Sequence, residues 1–195
     1  MKKNLQYKKL AFSLVEVSMV ILIIGIMIVG ISQGIDLYQD VKLSIARNLT
    51  KNSRVNRIPD LELWLETTLD DSFISSQKSH NSNISKWIDI NIQNSSKKTV
   101  LQSNTNQQPK YILKVFDNSL PAIQFDGIND NFPFTANFMN GESFTIFVVE
   151  QRRSATNHIY FIGGGLGEFH LGYSSSTAIR VGQYGSGDVN FLITP

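Results

Sequence analysis

The chain has 195 residues, with eighteen basic and sixteen acidic side chains and a formal net charge of +2. The charge is unevenly distributed, because residues 1–58 carry nine basic and three acidic groups, whereas residues 59–195 carry nine and thirteen. The net negative charge of residues 59–195 excludes a basic nucleic-acid-binding surface there. The absence of cysteine excludes disulfides and thiol chemistry. The part after residue 58 is long enough for one domain with its own core.

The first predicted element is a membrane-spanning helix at residues 12–31. These 20 residues contain one charged side chain, Glu16, and a helix of that length matches the roughly 30 Å hydrocarbon core of a bilayer. Four lysines precede the span and no acid lies among them, so the positive-inside bias predicts a cytoplasmic amino terminus. They are Lys2, Lys3, Lys8 and Lys9. The chain beyond about residue 32 is therefore expected outside the cytoplasm.

Glu16 is the unusual residue of this span. A carboxylate near the centre of a membrane helix costs about 2.5 to 3.5 kcal/mol on insertion scales, less near the helix ends, and usually marks a paired or functional site. Residues 17–41 contain no lysine or arginine, so no cation lies one turn further along the helix. A cut between Ala11 and Phe12 would create an ammonium group at the membrane surface.

A basic leader, a small residue and the sequence Phe-Ser-Leu-Val-Glu surround the bond between Ala11 and Phe12. With the apolar helix that follows, residues 8–31 resemble the amino-terminal segment of type IV prepilins and of the pseudopilins of type II secretion. The resemblance implies that a prepilin peptidase removes residues 1–11 and methylates the new amine of Phe12. It also implies that Glu16 pairs with the amino terminus of a neighbouring subunit in a filament. Ala11 departs from the family, which usually has glycine at this position.

Two other interpretations of the apolar segment stay open. A secretory signal peptide has an apolar core of about 7 to 15 residues and an A-x-A-like cleavage site, whereas this longer segment offers only Gly30-Ile31-Ser32. A plain signal anchor explains the length and the charge bias, but it gives Glu16 no role.

An amphipathic stalk is predicted to continue the span. Apolar residues recur at spacings of three and four, which is typical of one helix face, and the Ile58–Pro59 step is expected to end the helix. We therefore predict one helix from residue 12 to about residue 56, within a stalk that ends at residue 58, and expect the exposed part of this helix to pack on the domain and on neighbouring stalks. The apolar stripe consists of Ile35, Tyr38, Val41, Ile45 and Leu49.

Short strands are predicted after Pro59, because β-branched and aromatic runs alternate with Gly, Asn, Ser and Asp. The run 144–149 is apolar on both faces and is expected to be a central strand. In the run 168–173, the face with Phe169 is expected to be buried and the face with His170 to be wet. The fold class is therefore α+β, a long amino-terminal helix followed by a mainly antiparallel β-sandwich. The predicted strands are 61–66 (with a short helix as the alternative), 84–92, 111–115, 121–125, 143–150, 158–162, 168–173, 178–184 and 189–193.

Four sequence landmarks follow one another within residues 61–184: 63–65 (Leu-Trp-Leu), 84–89 (Ile-Ser-Lys-Trp-Ile-Asp), 121–130 (Pro-Ala-Ile-Gln-Phe-Asp-Gly-Ile-Asn-Asp) and 143–150 (Ser-Phe-Thr-Ile-Phe-Val-Val-Glu). Their order resembles that of concanavalin A-like, laminin-G-like jelly-roll domains of bacterial surface proteins. The resemblance implies a jelly roll over residues 59–195 that binds a glycan or a protein, in some members with calcium in a loop. The family normally has further closing strands, so this copy is expected to be a short version or a truncated one with an exposed edge strand.

Two groups of residues are candidates for ligand binding. Asp126 and Asp130 have oxygens suited to calcium, although Asp-Gly and Asn-Asp are also ordinary turn sequences. Trp64, Trp87 and Tyr184 are candidates for the aromatic face of a ligand groove, and core packing is the alternative for each of them.

No catalytic constellation is found in the sequence. The glycine run at 163–167 lacks the Lys-Ser/Thr of a phosphate-binding loop and is expected to form a turn. A retaining glycosidase needs two carboxyl groups about 5 to 5.5 Å apart, which on one strand means positions i and i+2, whereas Glu62 and Glu66 are four residues apart. The three histidines lack a metal-binding spacing, and they are His80, His158 and His170.

These observations favour a minor pilin or pseudopilin that is not an enzyme and needs no cofactor, with calcium the only candidate ion. Its expected partners are a prepilin peptidase, other pilin subunits, the bacterial inner membrane and a glycan or protein ligand. The alternative is a membrane-anchored glycan- or protein-binding adhesion module that does not polymerise. The predicted organisation is a cytoplasmic leader at 1–11, a transmembrane and stalk helix at 12–58, and a sandwich at 59–195.

Overall fold

The computed structural model describes residues 13–139, 141–154, 159–163, 168–183, 185, 187 and 189–192. One long apolar helix, α1 (Leu14–Lys51), is followed by antiparallel sheets, which confirms the predicted α+β class. Within the described residues, the strands are β1 (Ser82–Asn83), β2 (Lys86–Trp87), β3 (Val100–Leu101), β4 (Lys110–Phe116), β5 (Leu120–Gln124), β6 (Ile159–Ile162), β7 (Phe169–Ser175), β8 (Ala178–Gln183) and β9 (Val189–Leu192).

The helix α1 begins and ends at polar cap residues. Ser13 is its N-cap, and Asn52 closes its other end by donating two hydrogen bonds to Asn48 O, from the backbone N–H (3.1 Å) and from Nδ2 (2.8 Å). A separate 3₁₀ turn follows at Arg54–Arg57, and its N-cap is Ser53. The predicted helix is therefore confirmed, but it ends at Lys51 because Asn52 and Ser53 cap it before the chain reaches the proline.

The chain forms two compact units, and unit 1 consists of Met1–Thr99 and Lys110–Gln124. Its largest sheet has three antiparallel strands in the order β1-β4-β5. Asp117 and Asn118 connect β4 to β5 with φ values of 49° and 51°, and Asp and Asn tolerate this left-handed conformation in tight hairpin turns. The predicted strands 111–115 and 121–125 are confirmed.

The core of unit 1 is aromatic. Phe73 and Tyr111 are each 3% exposed, and Ile84 is fully buried. The ring of Phe73 lies 5.1 Å from that of Tyr111 and 6.2 Å from that of Trp87. Burial raises the pKa of Tyr111 to about 12, and the hydroxyl donates to Thr67 O at 3.5 Å.

Two strands predicted for unit 1 are wrong. Residues 61–66 belong to no strand and no helix, and within 84–92 only the two residues of β2 belong to a strand. Polar side chains are the buried ones in 88–92, because Asp89 and Asn91 are 1% and 0% exposed, whereas Ile92 is 73% exposed. Hydrogen bonds to the backbone hold this segment in place, rather than an apolar face.

Unit 2 consists of Val100–Pro109 and Phe125–Pro195 and contains an antiparallel meander in the order β6-β7-β8-β9. These four strands confirm the predictions at 158–162, 168–173, 178–184 and 189–193, apart from the terminal residues that lie outside the described ranges. The predicted faces of β7 are wrong, because His170 on the supposedly wet face is 2% exposed. Within the described residues, the largest sheet has four strands and no sheet closes on itself.

The predicted central strand at 143–150 is also wrong. Its residues belong to no strand, and Phe147 and Val149 are 85% and 95% exposed. A run that is apolar on both faces predicts burial between two neighbouring strands, and the described residues supply no such neighbours.

Candidate assembly site

The first turn of α1 is closed by hydrogen bonds between Ser13 and Glu16. Ser13 Oγ accepts from the N–H of Val15 at 3.2 Å, and Glu16 Oε2 accepts from the N–H of Ser13 at 2.7 Å. This is the capping box that the pattern Ser-x-x-Glu forms at the start of a helix. Glu16 therefore has a partner within its own chain. The Ser-x-x-Glu signal is present in the sequence, and the prediction that only an outside amine could satisfy Glu16 overlooked it.

Glu16 retains one carboxylate oxygen for a further interaction. Its side chain is exposed, and Oε1 accepts no hydrogen bond from the residues that the structure describes. An acid in the first turn also complements the partial positive charge of the helix amino terminus. The geometry thus allows Glu16 to cap its own helix through Oε2 and to contact a cation of another molecule through Oε1. The two residues predicted to flank a processing site, Ala11 and Phe12, lie outside the described residues.

The helix as a whole is long and apolar enough to cross a membrane. On the surface of its amino-terminal part, a Cβ atom added at Gly25 would meet nothing within 4 Å. The apolar residues around this position are Ile21, Leu22, Ile26 and Val29.

The carboxyl-terminal half of α1 contacts the rest of unit 1 through polar side chains. Lys42 forms an ion pair with Asp117, and Asp36 accepts from Lys114 at 3.1 Å. The hydrogen bond with Asp117 raises the pKa of Lys42. These exposed pairs orient the helix but contribute little stability, because solvent screens them.

Arg47 makes a partly buried contact with Thr68, which is less exposed to solvent than the ion pairs of Lys42 and Lys114. Its Nε donates to Thr68 O at 2.9 Å, and its Nη2 donates to Asp70 Oδ1 at 2.9 Å. The guanidinium therefore joins the helix to the loop that precedes the aromatic core.

The apolar stripe of the stalk lies about half a turn away from Asp36 and Arg47 on α1, at 3.6 residues per turn. Lys42 lies beside the stripe, with its ammonium 4.7 Å from the ring centre of Tyr38. The helix thus meets the rest of unit 1 as predicted, but through polar side chains, because all five stripe residues stay about half exposed or more. The exposed fractions are 52% for Ile35, 60% for Tyr38, 47% for Val41, 53% for Ile45 and 68% for Leu49.

The candidate calcium residues are engaged in a turn. Asp126 Oδ1 accepts from the N–H groups of Ile128, Asn129 and Asp130 at 2.8, 3.1 and 3.2 Å, and Asp130 Oδ2 accepts from the N–H of Asp126 at 2.9 Å. The hydrogen bond from Ile128, followed by those from Asn129 and Asp130, holds the pKa of Asp126 below its ordinary value. The described residues contain no group of three His, Cys, Asp or Glu side chains able to hold a metal ion. The loop geometry therefore favours the turn interpretation.

The candidate ligand-facing aromatic residues do not form a common exposed face. Trp87 stacks on Phe73, and its Nε1 donates to Glu66 O at 2.7 Å, so it belongs to the core. Trp64 is half-buried, and its backbone N–H donates to Asp89 Oδ1 at 3.0 Å. Tyr184 lies outside the described residues.

The candidate glycosidase carboxylates have separate structural partners. Glu62 forms an ion pair with Lys98 at 2.6 Å. Glu66 accepts four hydrogen bonds, from the N–H and hydroxyl of Thr68, the N–H of Leu69 and the hydroxyl of Ser72. This carboxylate stabilises its own loop.

The described histidines are not brought together at a site. His80 Nδ1 accepts from the N–H of Leu113 at 3.2 Å, and His170 is buried in unit 2. His158 lies outside the described residues.

Comparison of the chain with family models, with curated proteins and with solved structures finds no match. The two resemblances therefore rest on the residues quoted for them.

Proposed function

We propose that this chain is a minor pilin or pseudopilin, a structural subunit of a type IV pilus or a type II secretion-like filament. The observation that carries the proposal is the position of Glu16, a single acid in the first turn of a membrane-length helix, with one oxygen uncommitted within the described residues. The exposed stripe on α1 gives further support. An apolar face that its own domain does not cover is suited to packing against helices of other subunits.

The proposed mechanism is electrostatic pairing within a bundle of helices. Removal of residues 1–11 would place the ammonium group of Phe12 at the helix start, and Glu16 Oε1 would accept from the ammonium of an adjacent subunit. Breaking one partner of a buried ion pair costs about 3 to 5 kcal/mol, because the remaining charge is left uncompensated. That corresponds to a loss of roughly two to four orders of magnitude in the association constant.

The proposed placement is a single-pass protein of the bacterial inner membrane. The four leader lysines support a cytoplasmic amino terminus, and the part beyond the span would be displayed outside the cytoplasm and then on the filament surface. A prepilin peptidase and the other filament subunits are the proposed partners.

The local capping role and the intermolecular role of Glu16 are separated by two variants. Glu16→Gln keeps the capping box, because glutamine also accepts at this helix position, but it removes the charge. Ser13→Ala breaks the cap at a cost of about 0.5 to 2 kcal/mol and keeps the charge. We expect Glu16→Gln to be inserted and cleaved but to be absent from sheared filaments, whereas Ser13→Ala is incorporated. Normal incorporation of Glu16→Gln would contradict the proposed mechanism.

We further propose that residues 59–195 belong to the concanavalin A-like, laminin-G-like class. The antiparallel hairpin β4–β5 and the meander β6–β9 support this assignment, as does the order of the sequence landmarks. Binding of the full chain, in detergent, to a glycan array tests for the glycan ligand that this class implies. Binding by a chain that is still uncleaved in its native membrane would favour the non-polymerising adhesion module instead.

A further inference from the structure

Residues 143–150 belong to no helix and no strand. Among the described residues, the backbone of 143–149 makes no hydrogen bond to another part of the chain. The composition is nevertheless that of a strand, with Phe144, Ile146, Phe147, Val148 and Val149 in eight residues. Such a segment offers both unpaired backbone groups and apolar side chains to a neighbouring molecule.

The two faces of this segment differ in exposure. Phe144 and Val148 are 46% and 44% exposed, and the ring of Phe144 contacts that of Phe169 at 5.3 Å. Phe147 and Val149 on the alternate face are 85% and 95% exposed. The even-numbered side chains therefore lie against unit 2, while the odd-numbered face of Thr145, Phe147 and Val149 is open.

We propose that residues 143–150 pair in antiparallel orientation with the same segment of a second copy of this chain. An exposed strand edge binds an added strand through main-chain hydrogen bonds, and alternate side chains give the specificity. Two identical segments related by a two-fold axis form an isologous contact that closes on itself. The contact therefore produces a dimer of these segments rather than an open chain of copies.

The arrangement of side chains favours a second copy in one register. The open face is centred on Phe147, so a two-fold axis through that position sets Phe147 opposite Phe147 and Thr145 opposite Val149. Aromatic and β-branched pairs of this kind contribute to sheet pairing.

The charges at the two ends of the segment favour the antiparallel orientation. Glu142 precedes the segment and Arg153 follows it, whereas Glu150 and Arg152 are engaged within unit 2, by the hydroxyl of Tyr173 and the carbonyl of Ser175. Antiparallel pairing brings Glu142 of each copy to the basic end of the other, whereas a parallel, in-register pair stacks like charges. The edge strand β9 is the competing occupant, because Val189, Phe191 and Leu192 are also exposed, but the sequence flanks it with one acid, Asp188, and no basic residue.

The pairing is independent of the proposed filament role, because it uses residues of unit 2 alone. It applies equally to a subunit that polymerises through its helix and to an anchored protein that does not. Failure of one proposal therefore leaves the other standing.

Disulfide trapping in native membranes tests the pairing, and the chain contains no cysteine that would interfere. We expect full-length Phe147→Cys to form a disulfide-linked homodimer on mild oxidation, because opposed residues have Cβ atoms about 4.5 to 5.5 Å apart. Thr145→Cys alone should give no dimer, because two copies of residue 145 are four positions apart, about 13 Å. Coexpression of Thr145→Cys and Val149→Cys chains should restore a mixed dimer.

Two controls separate this register from random collision. Ile128→Cys, at an 87% exposed position of the same unit, should stay monomeric. Glu142→Arg in the Phe147→Cys background should lower the dimer yield about tenfold by repelling the basic end, and Glu168→Arg should leave it unchanged. Equal dimer yields at positions 128, 145 and 147 would overturn the proposal, as would crosslinking of Phe147→Cys to Phe191→Cys but not to itself.

Discussion

Replacement of Asp89 by alanine should strongly destabilise unit 1. The carboxylate is 1% exposed and accepts three backbone hydrogen bonds, all at 3.0 Å. The donors are the N–H groups of Trp64, Asn91 and Lys98. Asp89 therefore joins its own segment to those around Trp64 and Lys98.

The magnitude follows from the donors left without an acceptor. A buried polar group that loses its partner costs about 1 to 3 kcal/mol. The contact with Asn91 is fully buried, and those with Trp64 and Lys98 are partly buried, so water compensates for part of the loss at the latter two. We expect a decrease in the free energy of unfolding of about 3 kcal/mol, which is a large fraction of the roughly 5 to 15 kcal/mol that typical proteins have.

Urea unfolding of the full chain in detergent, followed by tryptophan fluorescence, measures the effect. With a slope of about 2 kcal/mol per molar urea, the midpoint of Asp89→Ala should fall by about 1.5 M. Asp71→Ala is the matched control, because it removes an exposed carboxylate of the same unit and should change stability by less than about 0.5 kcal/mol. Equal midpoints for the two variants would refute the assignment of Asp89 as the junction of these segments.

Three further outcomes are expected from hydrogen exchange of the full chain. Arg47→Ala should raise the amide exchange rates of residues 68–72 roughly 5- to 30-fold, because about 1 to 2 kcal/mol of contact between the helix and this loop is lost. Lys51→Ala should leave these rates unchanged. Equal effects of the two variants would contradict the Arg47 contact. The pKa of Asp126 is held below its ordinary value, so its stabilisation of residues 128–130 is present above that ordinary value and is lost as pH falls through the lowered pKa. Constant protection of these amides through the acid range would contradict this. Calcium at about 1 mM, the range of weak extracellular sites, should leave the exchange protection of residues 128–130 unchanged, since Asp126 Oδ1 already accepts from three N–H groups. A marked increase in this protection would favour calcium binding instead.

The local elements were predictable where one periodicity extends over many residues. The helix α1 and the strands β4, β7, β8 and β9 follow from apolar spacing. The failures occur where distant partners decide the structure. In 88–92 the predicted strand does not form, and Asp89 is held instead by the backbone amides of Trp64 and Lys98, which lie 25 and 9 residues away.

The candidate site was predictable in its parts and not in its arrangement. The position of Glu16 and the apolar stripe were both evident from the sequence. The face of α1 that meets its own domain was not, because it depends on pairing of Arg47 with Asp70 across a loop. The capping box was not predicted, although Ser13 and Glu16 have the spacing that defines it; a carboxylate in a membrane segment can be satisfied by a backbone N–H as well as by a cation.

The most direct test of the central claim is the intact mass of the protein extracted from its native membrane. The account predicts the loss of residues 1–11 and one added methyl group, with a mature chain that begins at Phe12 and supplies an ammonium to Glu16 of a neighbouring copy. A mature chain that still begins at Met1 would contradict it, because no amine would then lie beside the first turn of the helix.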